Sequence, residues 1–216
     1  MIPAAVLFDC DGVLVDSEPA TFELIQQEFA RYGLHRTISE LEDMFIGGTI
    51  EAVAETARSL GAPLPPNWAE TYYESLYAVL RAGTPLMQGV PELLDRLDAA
   101  GIPFAVGSNG RSAKMEATLG QHPEIRARLD GLLFSGQELG CPKPQPGLYL
   151  HCAKVLGVEP ARCVVIEDSP TGARAARAAG MRCLGYAPHG PNPRLAAEGA
   201  ELFADMRAVP GLIGLS

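Results

Sequence analysis

Two aspartates, Asp9 and Asp11, close an apolar run near the start of the chain, Ala5-Val6-Leu7-Phe8. Side chains two positions apart in a strand face the same way. A strand ending at Phe8 therefore aims both carboxylates at one spot beyond its carboxyl end. Like charges held that close repel unless a cation or a proton lies between them. A single Asp before Gly12 is accounted for by a turn. A pair at the end of the first buried strand is not.

Later apolar runs also end in polar residues that no core needs. Phe104–Gly107 is followed by Ser108, Asn109 and Gly110, and Cys163–Ile166 by Glu167, Asp168 and Ser169. Lys143 stands between Pro142 and Pro144, which stiffen its backbone and suit a lysine that must point inward. If one sheet brings these ends together, four carboxylates, a hydroxyl and an ammonium converge, and that is a magnesium site beside an anion site.

Such convergence needs particular elements. Continuous apolar runs near Phe104–Gly107, Leu132–Phe134, Cys163–Ile166 and Cys183–Tyr186 read as parallel strands covered on both faces. Helical segments separate them, near Val90–Ala100, Ser112–Leu119, Pro146–Leu156 and Thr171–Ala179. With Val6–Phe8 added, the spacing predicts an α/β fold with a doubly wound parallel sheet, in which ligands bind beyond the carboxyl ends of the strands. The stretch between the first and second strands breaks the alternation. "TFELIQQEFARYG", "TIEAVAETARSLG" and "NWAETYYESLYAVLRAG" read as helices inserted there. A core domain of residues 1–16 and 85–216 with a helical cap domain of residues 17–84 is expected. Trp68, Tyr72, Tyr73 and Tyr77 lie at helical spacing and are assigned to the cap's own core.

The whole chain sets bounds. Its 216 residues, 47% hydrophobic and 20% charged, describe an ordinary globular chain. A net charge of −9 disfavours nucleic acid and anionic membrane surfaces as partners, but not a phosphorylated substrate held beside a cation. No apolar run is long enough to span a bilayer, and no basic region precedes the first one, so neither a membrane span nor a signal peptide is expected. Five scattered cysteines without a CxxC pair fit reduced thiols in a cytoplasmic protein. The four histidines show no metal-binding spacing. The chain is expected to act as a monomer.

"FDCDGVLVDSE", "VGSNG", "KPQPGLY" and "VVIEDSPTG" resemble, in order, the four signature motifs of the haloacid dehalogenase superfamily. The helical insert resembles the cap of its phosphoglucomutase-like and phosphoglycolate-phosphatase-like branch. The resemblance implies a Rossmann-like core and a magnesium-dependent phosphatase acting on a small phosphorylated metabolite. It implies Asp9 as nucleophile, forming an aspartyl phosphate, and Asp11 as general acid and then base, with neighbouring negative charge favouring a proton on Asp11. Ser108 and Lys143 would contact the phosphoryl group. Asp9, Glu167, Asp168 and the Asp11 carbonyl would hold Mg2+. Asn109, Arg111 and the cap-loop residues Gly47 and Gly48 would contribute to substrate binding. True dehalogenases and phosphonate-cleaving members lack the second Asp, so Asp11 argues against both. Mutases of the β-phosphoglucomutase type carry a His where this chain has Thr21. A phospho-acceptor switch resembling a receiver domain would lack both the cap and the second Asp. "VGSNGRSAKM" together with "KPQPGLYLHCAK" is similar to bacterial phosphatases acting on 6-phosphogluconate, which suggests that metabolite or a related sugar phosphate.

Overall fold

The computed structural model describes residues 2–45 and 49–215. The chain opens with β1 (Ala5–Phe8), whose four residues are all buried. Four helices follow: α1 (Glu18–Arg31), α2 (Ile38–Phe45), α3 (Ile50–Ser59) and α4 (Trp68–Ala82). The alternating part then runs α5 (Val90–Ala99), β2 (Phe104–Ser108), α6 (Ser112–Leu119), α7 (Pro123–Arg128), β3 (Leu133–Ser135), α8 (Gly147–Val155), β4 (Cys163–Glu167), α9 (Pro170–Ala178) and β5 (Arg182–Tyr186). It closes with α10 (Pro193–Ala197), β6 (Glu201–Phe203) and α11 (Val209–Leu212).

The six strands form one parallel sheet in the order β3-β2-β1-β4-β5-β6. The chain winds outward from β1 through β2 and β3, then crosses back to β4 and winds the other way. β1 therefore lies at the topological switch point, where an open α/β sheet leaves a crevice beyond its strand ends. Alternate residues feed two apolar layers. Val6, Phe8, Val164 and Ile166 join the layer with Leu93, Met115 and Val209. Leu7, Cys163 and Val165 join the opposite layer with Tyr149, Cys152 and Ala176. Burying both faces explains why these strands read as unbroken apolar runs.

The helices α1–α4 enclose a third apolar cluster, centred on Phe22, Ile25, Phe29, Trp68 and Leu76. Trp68 stacks on Tyr72 with ring centroids 4.9 Å apart, and the Tyr72 hydroxyl donates to the Thr21 carbonyl at 3.0 Å. Each fully buried large side chain of this kind contributes ~1.5–3 kcal/mol. The expected placement of Trp68 and Tyr72 holds. Tyr73 is buried too, but it also lines the cleft described below.

Five short elements, α2, α7, α10, β6 and α11, escaped the sequence reading for a physical reason: none exceeds eight residues. β6 is three residues long with two of them exposed, so it lacks a continuous apolar run. α2 is an eight-residue helix that buries only Leu41 and Phe45. The two chain crossings between α1–α4 and the sheet run side by side. Asp16 N–H donates to Pro85 O at 2.9 Å, and Met87 N–H to Leu14 O at 2.9 Å.

Candidate active site

The sheet register puts the polar strand ends at one height. Phe8 pairs with Val106 on one side and Ile166 on the other, so Asp9, Ser108 and Glu167 emerge together at the carboxyl edge. Lys143 reaches them from the loop between β3 and α8. Its ammonium donates to Asp9 Oδ1 at 2.7 Å and to Glu167 Oε1 at 2.6 Å. All three side chains are nearly or fully buried. Asn109 fixes the lysine's backbone from both sides: Lys143 N–H donates to Asn109 Oδ1 at 2.8 Å, and Asn109 Nδ2 donates to Lys143 O at 3.1 Å. The Asn109 amide thus orients Lys143, although the residue also borders the cleft.

Glu167 accepts from every direction. Its Oε1 takes the Tyr149 hydroxyl at 2.8 Å beside Lys143, and its Oε2 takes Asp168 N–H, Ser169 N–H and the Ser169 hydroxyl at 3.1, 3.0 and 2.9 Å. Burial raises the Glu167 carboxyl, but Lys143 and the hydrogen bonds outweigh it and hold the group below its ordinary value. The same contacts push the Lys143 ammonium well up against the cost of its burial. Two glycines make the packing feasible. A Cβ on Gly172, in the first turn of α9, would stand 1.6 Å from Glu167 Oε1, and one on Gly12, at φ +71, would stand 2.0 Å from Asp168 Oδ2.

The second aspartate corrects an expectation. Burial raises the Asp11 carboxyl, but Lys114 of α6 forms an ion pair with it at 2.8 Å and the Ser17 hydroxyl donates to the same oxygen, so on balance the group sits below its ordinary value. Asp9 moves the opposite way. Burial pushes it up to about 7 despite the attraction of Lys143, with Glu167 and Asp11 adding repulsion. Lys114, which sequence spacing did not connect to Asp11, favours its ionised form over the proton expected there. Glu18, also unanticipated, lines the cleft, and burial together with Asp11 raises it to about 8.

Among the described residues, Asp9, Glu167 and Asp168 offer carboxylate oxygens within 4.8 Å of one another. Asp168 is pushed well above its ordinary value by burial and by Glu18, Glu167 and Asp9. Oxygen-only donors forced together against repulsion suit a hard divalent cation. Asp9, Asp11, Ser108, Lys143 and Asp168 all line one cleft that encloses about 760 Å³, part of it open to solvent. The Ser108 hydroxyl accepts the Gly110 N–H at 2.9 Å and is held at the cleft floor. Arg111 does not line it. Its guanidinium pairs with Glu51 of α3 at 2.6 Å and lies over the Tyr73 ring, 4.0 Å from the centroid. Gly47 and Gly48 lie outside the described residues.

The sheet's switch point thus gathers an acidic pair, a buried lysine and a carboxylate cluster in one cleft. The chain belongs to the haloacid dehalogenase-like hydrolases, whose family model matches residues 3–180. It is 34% identical over 206 residues to a CBBY-like protein of Arabidopsis thaliana, covering 85% of this chain but only 63% of that protein's length. It is 30% identical to the 6-phosphogluconate phosphatase of Escherichia coli strain K12, with 96% of this chain and 93% of the relative covered. A solved hydrolase of the family from Deinococcus radiodurans, with bound phosphate and sodium, superposes with a TM-score of 0.77 at 34% identity, covering 98% and 96% of the two chains.

Proposed function

We propose that the protein is a magnesium-dependent phosphatase that hydrolyses a small sugar phosphate or phosphorylated sugar acid through an aspartyl phosphate on Asp9. The observation that carries this reading is the buried Lys143 ammonium, held by Asp9 and Glu167, with Asp11 lining the same cleft. An Asp9 oxygen attacks phosphorus, and the bond from phosphorus to the leaving alcohol breaks. Asp11 delivers a proton to the departing oxygen. A water then attacks the aspartyl phosphate, Asp11 takes its proton, and inorganic phosphate leaves with Asp9 restored. Before it can give a proton, Asp11 must first gain one from solvent or substrate, because Lys114 favours its ionised form. Lys143 and the Ser108 hydroxyl stabilise charge on the phosphoryl oxygens.

Asp9 and Asp168, with the Asp11 carbonyl, would hold magnesium. Glu167, its oxygens already accepting five protein donors, would act mainly by positioning Lys143. When bound, the ion supplies the positive charge that lets a phosphate dianion approach these carboxylates. The helical block of residues 17–84 would serve as a cap that excludes bulk water and selects the leaving group. We place the protein in the cytoplasm as a monomer, without nucleic-acid or membrane partners. No helix among the described residues is long and apolar enough to cross a membrane. A mutase is disfavoured because Thr21, which lines the cleft, offers no group that titrates near neutrality and donates its hydroxyl to Ser17 O at 2.7 Å.

The test compares Asp9→Asn with Asp11→Asn on an aryl phosphate, with and without magnesium. Asp9→Asn should fall to background and form no phosphoenzyme. Asp11→Asn should lose ~10²–10⁴-fold in turnover, as loss of a general acid–base does, while mass spectrometry of the quenched protein finds phosphate on Asp9. Near-normal rates in Asp9→Asn, or full activity after exhaustive chelation, would overturn the mechanism.

A further inference from the structure

Asp11 is held by one of its two oxygens. The Lys114 ammonium pairs with Oδ1 at 2.8 Å, and the Ser17 hydroxyl donates to the same atom. Among the described residues nothing donates to Oδ2. That second oxygen borders a gap shared with Ser108. A Cβ on Gly110 would stand 3.2 Å from Ser108 Oγ, 3.3 Å from Lys114 Cδ and 3.6 Å from Asp11 Oδ2. All four residues line the cleft, so the lack of a side chain at position 110 leaves Oδ2 open to it.

Lys114 is the fixed partner in this arrangement. The side chains of Lys114 and Asp11 are only 14% and 19% exposed, so the pair is shielded from the screening that weakens surface ion pairs. Its helix, α6, is tied down at both ends. The Ser112 N–H and hydroxyl donate to Glu138 at 2.8 and 2.6 Å. Just past the other end, Gln121 Nε2 donates to Leu80 O at 2.7 Å, and Gln121 Oε1 accepts the Thr84 N–H at 3.1 Å. Ala117, between these anchors, packs into the apolar cluster of α1–α4. A charge carried on such a helix needs little reorganisation when substrate arrives, which is what holds a reacting group in productive geometry.

We infer that Lys114 is the positioning residue of Asp11: with Ser17 it occupies Oδ1, so that Oδ2 alone exchanges protons with the leaving group and with water. The inference rests on the phosphatase reading and deepens it. As the bond from phosphorus to the ester oxygen breaks, its electron pair goes to that oxygen, and the proton on Oδ2 passes to it. In the second half Oδ2 takes a proton from the water that attacks phosphorus. Lys114 gives and takes no proton in either half.

Leaving-group dependence tests it. Phenol is a poorer leaving group than 4-nitrophenol, so cleavage of phenyl phosphate leans on proton delivery and cleavage of 4-nitrophenyl phosphate leans on it little. kcat/KM covers the steps up to release of the phenol and leaves out breakdown of the phosphoenzyme. Lys114→Met should lower kcat/KM for phenyl phosphate ~10-fold more than for 4-nitrophenyl phosphate, the order expected when an acid–base is misplaced rather than removed. Lys114→Arg, which keeps the ion pair, should return most of that ratio. Both rates come from one sample, so any loss of folded protein cancels. Asp11→Asn changes the ratio by itself, and adding Lys114→Met should change it no further, because Lys114 acts through Asp11. The double variant strands no charge, so it reads the inference even where the single variant folds poorly. Equal losses on the two esters, a ratio that moves in favour of phenyl phosphate, or a further change on the Asp11→Asn background would overturn the inference. Failure of the unaltered protein to cleave 4-nitrophenyl phosphate with any divalent cation would instead remove the phosphatase reading.

Discussion

At the scale of single residues, the site is organised around one ammonium shared by two buried carboxylates. Lys143 is what lets Asp9 and Glu167 coexist out of water, 2.7 and 2.6 Å from its nitrogen. Removing it would leave two buried charges without a partner, a change that costs ~3–5 kcal/mol in comparable pairs. Lys143→Met should therefore unfold at markedly lower urea and lose activity. Adding Glu167→Gln should return part of the stability, because one of the stranded charges is then gone, without returning turnover. Urea denaturation of the single and double variants checks this, and a purely additive loss would show that the two residues do not share an interaction.

At the scale of elements, the first turn of α9 is packed against the site so closely that its sequence is constrained. Ser169 caps the helix by accepting the Gly172 N–H at 3.0 Å while its own hydroxyl donates to Glu167. Gly172 leaves the room that the carboxylate occupies. In an exposed helix, Gly→Ala stabilises by roughly 0.5–1 kcal/mol. Gly172→Ala should do the reverse: the methyl displaces Glu167, Lys143 follows it, and kcat should drop by ~10²-fold, the order expected for small misplacement of a catalytic group. Gly211→Ala, in α11 with open space around it, is the control and should leave kcat unchanged.

At the scale of the molecule, the cluster of raised carboxyls links stability to pH. Burial lifts Asp9 from 3.8 to about 7 and Glu18 from 4.5 to about 8, and Asp168 also lies well above its ordinary value. A carboxyl with a raised folded-state pKa binds its proton more tightly folded than unfolded. Between the unfolded and folded values the folded protein holds more protons, so this contribution to stability falls as pH rises through that window. Glu167 and Asp11, held low, act in the opposite sense and contribute above their unfolded values of 4.5 and 3.8. Thermal melting in a chelating buffer should fall on the order of 5 °C between about pH 5 and pH 8. Magnesium at the upper pH should restore most of the loss, and a melting temperature indifferent to the cation would argue against the site.

The proposed cap, residues 17–84, belongs to the same scale. Among the described residues, two ion pairs join it to the rest of the chain: Arg111–Glu51 at 2.6 Å and Arg194–Asp43 at 3.3 Å. Replacing residues 20–80 by a short linker should preserve some hydrolysis of an aryl phosphate and abolish discrimination among sugar phosphates. Selectivity that survives the deletion would place its source in the sheet domain.

The linear chain alone determined the parallel sheet and the strand ends that carry Asp9, Asp11, Ser108, Glu167 and Asp168. Burial on both faces writes itself into sequence as unbroken apolar runs, and a polar residue directly after such a run has a defined place at the sheet edge. Only the tertiary structure decided the partners. Lys114 reaches Asp11 from a helix more than a hundred positions away, Tyr149 meets Glu167 from α8, and Arg111 is claimed by Glu51 of α3. Nothing in local spacing encodes such pairs, because they depend on which elements the sheet order makes neighbours. For the same reason the protonation preference of Asp11 could not be read from its acidic surroundings in sequence. The ammonium that reverses it arrives only when α6 folds against the sheet and brings Lys114 to Asp11.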